Sequence, residues 1–198
     1  PSSWNVVKVF DGDEDRPITA APMVVLAENP QSGSLQYAAA ISFGTGRYDT
    51  TSDITGVGAK SQRTMGIFDP IDTTSDSFSS ALGNISITDL QKQNPGDYAN
   101  RHENNLILLP STKKGYYVDL KTSIQVNDNF LEPVGMVLHS PQNVRGALVY
   151  TTFLPNQDTC EIGGHSFLQV SDFRTGGGIL IDGYSDSKPV SYTHLTLP

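Results

Sequence analysis

Asp11, Asp13 and Asp15 alternate along the chain, the spacing with which an acidic loop begins to build the oxygen cage that calcium takes. The rest of an EF-hand loop is missing. Arg16 stands where the sharp-turn glycine belongs and Pro22 where the bidentate acid belongs, so only an irregular site survives, and a solvated acidic turn between strands is the commoner use of such a run. Asp182, Tyr184 and Asp186 repeat the idea more weakly. The run Gly44-Thr45-Gly46-Arg47-Tyr48 has no lysine and is not a phosphate loop. Its glycines let the chain reverse after a strand, Thr45 can hydrogen-bond the turn backbone, and Arg47 can reach a nearby carboxylate or carbonyl. Cys160, ahead of Gly163-Gly164, has no ordered histidine and acid around it, and reads as a packed or disulfide-bonded residue rather than a nucleophile. With His165 alone it supplies too few ligands for a metal. His102 lies in a polar stretch and His139 ends an apolar one. No G-x-S-x-G elbow, H-E-x-x-H pair or serine-lysine pair in context is present, so a non-enzymatic protein is expected.

The elements that position these residues read as short strands. Runs rich in β-branched or aromatic residues cover Trp4 to Phe10, Met23 to Ala27, Gln36 to Phe43, Thr64 to Asp69, Tyr116 to Leu120, Val134 to His139, Ala147 to Phe153, Phe167 to Val170 and Gly178 to Ile181. Turn clusters such as Asp11-Gly12-Asp13, Asn29-Pro30 and Asn94-Pro95-Gly96 break the chain too often for long helices. The stretch from Ser86 to Gln93, with Ile87 and Leu90 three apart, permits a short amphipathic helical piece.

Composition narrows the function. The 21 acidic residues exceed the 13 Lys and Arg, giving a net charge of -8, which disfavours nucleic-acid and anionic-membrane binding because both need a cationic surface. No apolar window approaches the ~18 residues of a membrane-spanning helix. Pro1 rather than methionine opens the sequence and no signal-like segment follows, so the N-terminus is expected to be a cut.

Two sections follow one plan, Pro22 to Asp69 and Pro133 to Asp172: an apolar strand after a proline, a second apolar strand, a glycine-containing turn and a third strand near an aspartate. Units of about four strands build a β-propeller, and the Ala38-Ala39-Ala40 run suits a crowded axis. A sandwich or barrel gives the same periodic signals.

Three segments together carry a resemblance to a known family. Trp4 with Val9-Phe10, then Arg16-Pro17-Ile18-Thr19-Ala20-Ala21-Pro22, resembles the "QPIT-x-x-P" opening of a blade, with Arg16 for the usual glutamine. Ser42-Phe43-Gly44-Thr45-Gly46-Arg47-Tyr48, Ser52-Asp53 and Gly66-Ile67-Phe68-Asp69 resemble an "FGTGR-Y" turn, an "SD" and a "YGI-x-D" strand. Gly115-Tyr116-Tyr117-Val118-Asp119-Leu120, Leu148 to Pro155 and Asp158 to Leu168, containing Cys160, Gly163 and Gly164, resemble "GWY-x-DL … TT-x-P-x-x-D-x-C-x-x-GG". The chain is thereby similar to the C-terminal β-propeller of the PilY family, surface proteins associated with type IV pili.

The resemblance implies an all-β fold, a partial propeller of about two four-stranded blades plus a preceding strand over residues 1–189. It also implies a non-enzymatic factor in pilus assembly or extension and surface adhesion, exported to the bacterial cell surface. Pilin or minor-pilin subunits, the assembly machinery and host surface ligands are the implied partners. Calcium is implied for the full-length family, whose acidic loop is not visible here, so no cofactor is expected in this segment. Residues 190–198 match nothing in the family and are expected to be a non-native or disordered tail. The alternatives are a quinoprotein-like dehydrogenase and a generic protein-binding propeller. Such dehydrogenases carry repeated tryptophan docking motifs and paired cysteines, whereas this chain has one Trp and one Cys.

Overall fold

A computed structural model of the chain describes residues 8–30, 37–50, 53, 61–72, 77–78, 84–93, 112–120, 124–126, 129–131, 135–155, 164–177 and 194–196. These are almost entirely β. The strands are β1 (Met23–Glu28), β2 (Tyr37–Gly44), β3 (Arg63–Asp72), β4 (Ser77–Phe78), β5 (Leu90–Gln93), β6 (Gly115–Asp119), β7 (Ile124–Val126), β8 (Asn129–Leu131), β9 (Gln142–Val144), β10 (Ala147–Pro155), β11 (Gly164–Asp172) and β12 (His194–Thr196).

The first sheet has the order β1-β2-β3-β6-β5, with β4 beside the far end of β3. Strands β1, β2, β3 and β6 are antiparallel neighbours, while β5 joins β6 in parallel. The second sheet is antiparallel, in the order β12-β11-β10-β9, and β7 and β8 form a separate pair. Alternation drives the choice: β10 reads half-buried and buried by turns, as does most of β2, because successive strand side chains point to opposite faces.

One face of the first sheet carries Ala27, Ala38, Ala40, Phe68, Tyr116 and Val118 as a buried cluster. Phe173, just beyond β11, packs both on that cluster and on Leu120, Val137, Leu148 and Tyr150, so the two sheets share one interior. Ala38 and Ala40 are fully covered there, and only small side chains fit at this crossing. The other face holds Phe43, Met65, Ile67, Ile85 and Leu90, with Val9 and Phe10 packed over them. Tyr116 is wedged between two glycines. A Cβ on Gly66 would lie 2.5 Å from Tyr116 Cε1, and one on Gly176 would lie 2.4 Å from Cε2. No side chain larger than hydrogen fits at either position.

Four expectations change. The first sheet joins six strands, with β5 parallel to β6, where a blade of four was expected. The segment from Val134 to His139 is no strand among its described residues, but a crossing: Met136 makes an isolated bridge with Phe153, and Val137 N–H donates to Thr45 O at 3.0 Å. Its backbone partners are divided between the two sheets, which prevents a ladder. The helical piece over Ser86 to Gln93 is a 3-10 turn at Ile87–Asp89 followed by strand β5. Ser86 and Asp89 close a capping box on that turn, and Leu90 leaves it extended to pair with β6. Within the stretch expected to be a non-native or disordered tail, His194–Thr196 is not disordered but forms β12 and pairs with His165, Ser166 and Phe167, because the outer edge of β11 offers it unpaired backbone groups. The strand expected from Gly178 to Ile181, most of the one from Trp4, and Cys160 and Gly163 lie outside the described residues.

Candidate functional site

Strand β2 ends at Gly44, paired with Thr64, and the chain then turns beside β3. Thr45, fully buried there, uses all of its polar functions. Its N–H donates to Arg63 O at 2.8 Å, and its carbonyl accepts from Val137 N–H at 3.0 Å. Its hydroxyl donates to Gln62 Oε1 at 2.7 Å and accepts from Arg63 N–H at 2.8 Å. A buried hydroxyl is tolerated only when bonded in this way.

Gly46 joins the turn to the preceding segment. Its N–H donates to Pro17 O at 2.9 Å, and its carbonyl accepts from Thr19 Oγ1 at 2.7 Å. It has φ +151, and a Cβ there would lie 2.6 Å from Met136 Cβ. Ile18, between the two contacts, stays 43% exposed. Pro22 immediately precedes β1 and fixes the chain's entry into the sheet.

Arg47 forks onto Asp53, Nε to Oδ2 at 3.1 Å and an Nη to Oδ1 at 3.3 Å. Asp53 Oδ2 also accepts the N–H groups of Asp49 and Thr50, at 3.1 and 2.9 Å. The Arg47 hydrogen bond, helped by Thr50 and the backbone donors, holds the Asp53 carboxyl well below the usual carboxylate range. Tyr48 sets its ring edge-on to Phe153 of β10, centroids 5.2 Å apart. The turn thus reaches the second sheet through a side chain as well as through Val137.

A second polar cluster lies at the end of β3. Arg63 Nε donates to Asp119 Oδ1 at 2.8 Å, Lys92 Nζ lies 2.7 Å from Asp119 Oδ2, and the Arg63 guanidinium sits 4.8 Å from the Tyr117 ring centroid. Cross-strand pairing of Arg63 with Asp119 and of Lys92 with Tyr117 puts these groups on one face. Beside them a pocket of about 200 Å³ is lined by Phe10, Asp11, Asp13, Arg16, Arg63 and Met65, among others.

The acidic turn does not assemble a cage. Asp11 is ion-paired with Lys8, and Asp13 with Arg16 while also accepting from Asp15 N–H. Arg16 Nε donates to Ser61 O at 2.8 Å, and Gln62 Nε2 to Asp15 O at 3.2 Å, which docks the turn on the residues leading into β3. Among the described residues no three His, Cys, Asp or Glu converge as a metal would require. The set Asp11, Asp13 and Asp15 therefore does not fit calcium. Asp69 lies elsewhere on β3, paired with Ala39, and Gly164 opens β11 opposite Pro155.

The motif residues that meet are Pro17, Thr19, Thr45, Gly46 and Tyr48, together with Phe153. Asp69 and Asp119 stand apart from that junction. Gln62, Arg63, Lys92 and the Met136–Val137 crossing belong to the site without carrying a motif. Gln62, Arg63 and Lys92 leave only a polar residue in or beside a strand as a trace in the sequence, and Met136–Val137 only an apolar run. The arrangement holds turns and sheets in place and displays charged loops.

No protein-family model and no curated protein matches the chain. Its fold is similar to that in a crystal structure of the Pseudomonas aeruginosa PilY1 C-terminal domain, with TM-score 0.53 and 19% identity, covering 83% of this chain. The match spans 33% of the solved chain, so this sequence corresponds to about a third of it. No helix among the described residues is long and apolar enough to cross a membrane.

Proposed function

We propose that residues 1–189 are part of a PilY-like β-propeller, acting as a non-enzymatic binding module in type IV pilus assembly or extension and in surface attachment. The observation that carries this reading is the junction. Segments resembling three separate family motifs, around Pro17–Thr19, Thr45–Tyr48 and Phe153, interlock in a pair of sheets similar in fold to the PilY1 C-terminal domain. The two sheets are the two blades of this reading, and the junction fixes one against the other. Recognition of pilin subunits or of the assembly machinery then falls to the loops displayed around it, including the exposed stretch from Arg47 to Thr50. Calcium, if the full-length protein uses it, is seated in another segment. The protein works at the bacterial cell surface.

Deleting the gene in its source bacterium tests this. Surface pili counted by electron microscopy and attachment to a solid surface should both fall, and a full-length copy should restore them. Unchanged pilus numbers and attachment in the deletion strain would exclude the pilus role.

A further inference from the structure

The face of the first sheet opposite Tyr116 is only half covered. Phe10 and its neighbours lie over Phe43, Met65 and Ile67, but the part formed by β1 and the start of β2 is open. Register places three cross-strand rows there: Val24 with Ile41 and Ile67, Leu26 with Ala39 and Asp69, and Glu28 with Tyr37 and Ile71. Residues directly opposite in antiparallel strands share a face with Cβ atoms about 5 Å apart. Val24, Leu26 and Tyr37 are 61, 70 and 43% exposed. These are large apolar side chains gathered in adjacent rows, not scattered singly.

The middle row is unusual. Ala39 stops at Cβ and so leaves a shallow recess between Leu26 and Asp69. Asp69 has an Oδ1 without solvent contact and without a hydrogen-bond partner, although the residue as a whole is only partly covered. Burial raises its carboxyl above the usual range, as expected for a charge whose desolvation is not offset.

We infer that this face docks an extended apolar segment of a partner protein carrying a lysine or arginine, its apolar side chains against Val24, Leu26 and Tyr37 and its cation on Asp69. Charge complementarity selects that occupant. A purely apolar segment would deepen the burial of an unpaired carboxylate, and an acidic one would meet Asp69 with like charge. A second copy of the same face is disfavoured too, since none of the three rows holds a lysine or arginine that could meet Asp69. The surface is defined by the sheet alone and does not depend on the pilus assignment.

The probe is a capped hexapeptide in which threonine alternates with leucine, lysine and leucine, so that these three share one face of an extended chain. Titrated into the ¹⁵N-labelled protein, it should move the amide signals of Val24, Leu26, Ala39 and Asp69 ahead of others. Asp69→Asn and Leu26→Ser should each weaken binding about tenfold. Asp11→Asn, which changes an acid outside this face, should leave it unchanged, and replacing the peptide's lysine with glutamate should abolish it. The inference is overturned if the peptide leaves those signals unmoved, if Asp69→Asn and Leu26→Ser bind as the parent does, or if Asp11→Asn weakens binding as much. Sedimentation showing a dimer that Leu26→Lys dissociates would give the face to a second copy and equally overturn it.

Discussion

Replacing Thr45 with valine keeps the shape of the side chain and removes only its hydroxyl. Two hydrogen bonds go with it, the 2.7 Å bond to Gln62 Oε1 and the 2.8 Å bond from Arg63 N–H. Thr45 has no solvent exposure and Gln62 is buried as well, so water does not replace the lost partner. Each buried polar group left unsatisfied costs about 1–3 kcal/mol. Gln62 keeps its amide bond to Asp15 O, which places the total in the lower half of the combined range, at about 2–4 kcal/mol. Thr45→Ser keeps both bonds and loses one buried methyl, about 1 kcal/mol. The expected order of stability is therefore parent, serine, valine. Apolar burial alone gives the reverse for the two variants, since valine buries more apolar surface than serine. Urea unfolding followed by circular dichroism decides between them. At a slope of ~2 kcal/mol/M, the valine variant should lose ~1–2 M in its midpoint and the serine variant ~0.5 M. A valine variant as stable as the serine one would refute the assignment of Thr45 as the bonded centre of the junction.

The Asp119 carboxyl is pushed up by burial but pulled further down by its hydrogen bonds from Arg63 and Lys92, ending below its usual range. Its folded pKa lies under the unfolded one, so its contribution is present above about pH 4 and is lost as pH falls through the folded value. Asp119→Asn should lower the melting temperature at pH 7 and flatten the acid limb below pH ~4, and an acid limb identical to the parent's would rule this out. Gly46→Ala must hold φ +151 with a Cβ 2.6 Å from that of Met136, at a cost of about 1–3 kcal/mol; a thermal melt superimposable on the parent's would contradict this. The Tyr116 hydroxyl is buried with no partner, so Tyr116→Phe should be neutral or stabilising by up to about 1 kcal/mol. A clear loss of stability on chemical denaturation would mean that the hydroxyl is bonded after all.

The strands that alternate over a long run were legible in the sequence: β1, β2, β3, β6, β10 and β11 fall where β-branched, aromatic and small apolar residues recur. What escaped depends on partners distant in the chain. Leu90-Gln91-Lys92-Gln93 has the composition of a helix and is a strand because β6 lies alongside it. The apolar residues from Met136 to Leu138 look like a strand, yet their hydrogen-bonding groups are divided between Phe153 and Thr45. In the site, the fork of Arg47 on Asp53 could be anticipated because the two lie only six positions apart in the chain. The bond from Arg63 to Asp119 spans 56 residues and depends on register, which no local pattern encodes.

The wedging of Tyr116 between Gly66 and Gly176 ties together three positions that belong to different parts of the chain. In evolutionary terms they form one unit of inheritance. A lineage that gains a side chain at position 66 or 176 must first, or at the same time, shorten the residue at 116, and a lineage that keeps the tyrosine must keep both glycines. Aligned relatives should therefore show these three columns changing together, with single changes confined to chains whose two sheets have moved apart.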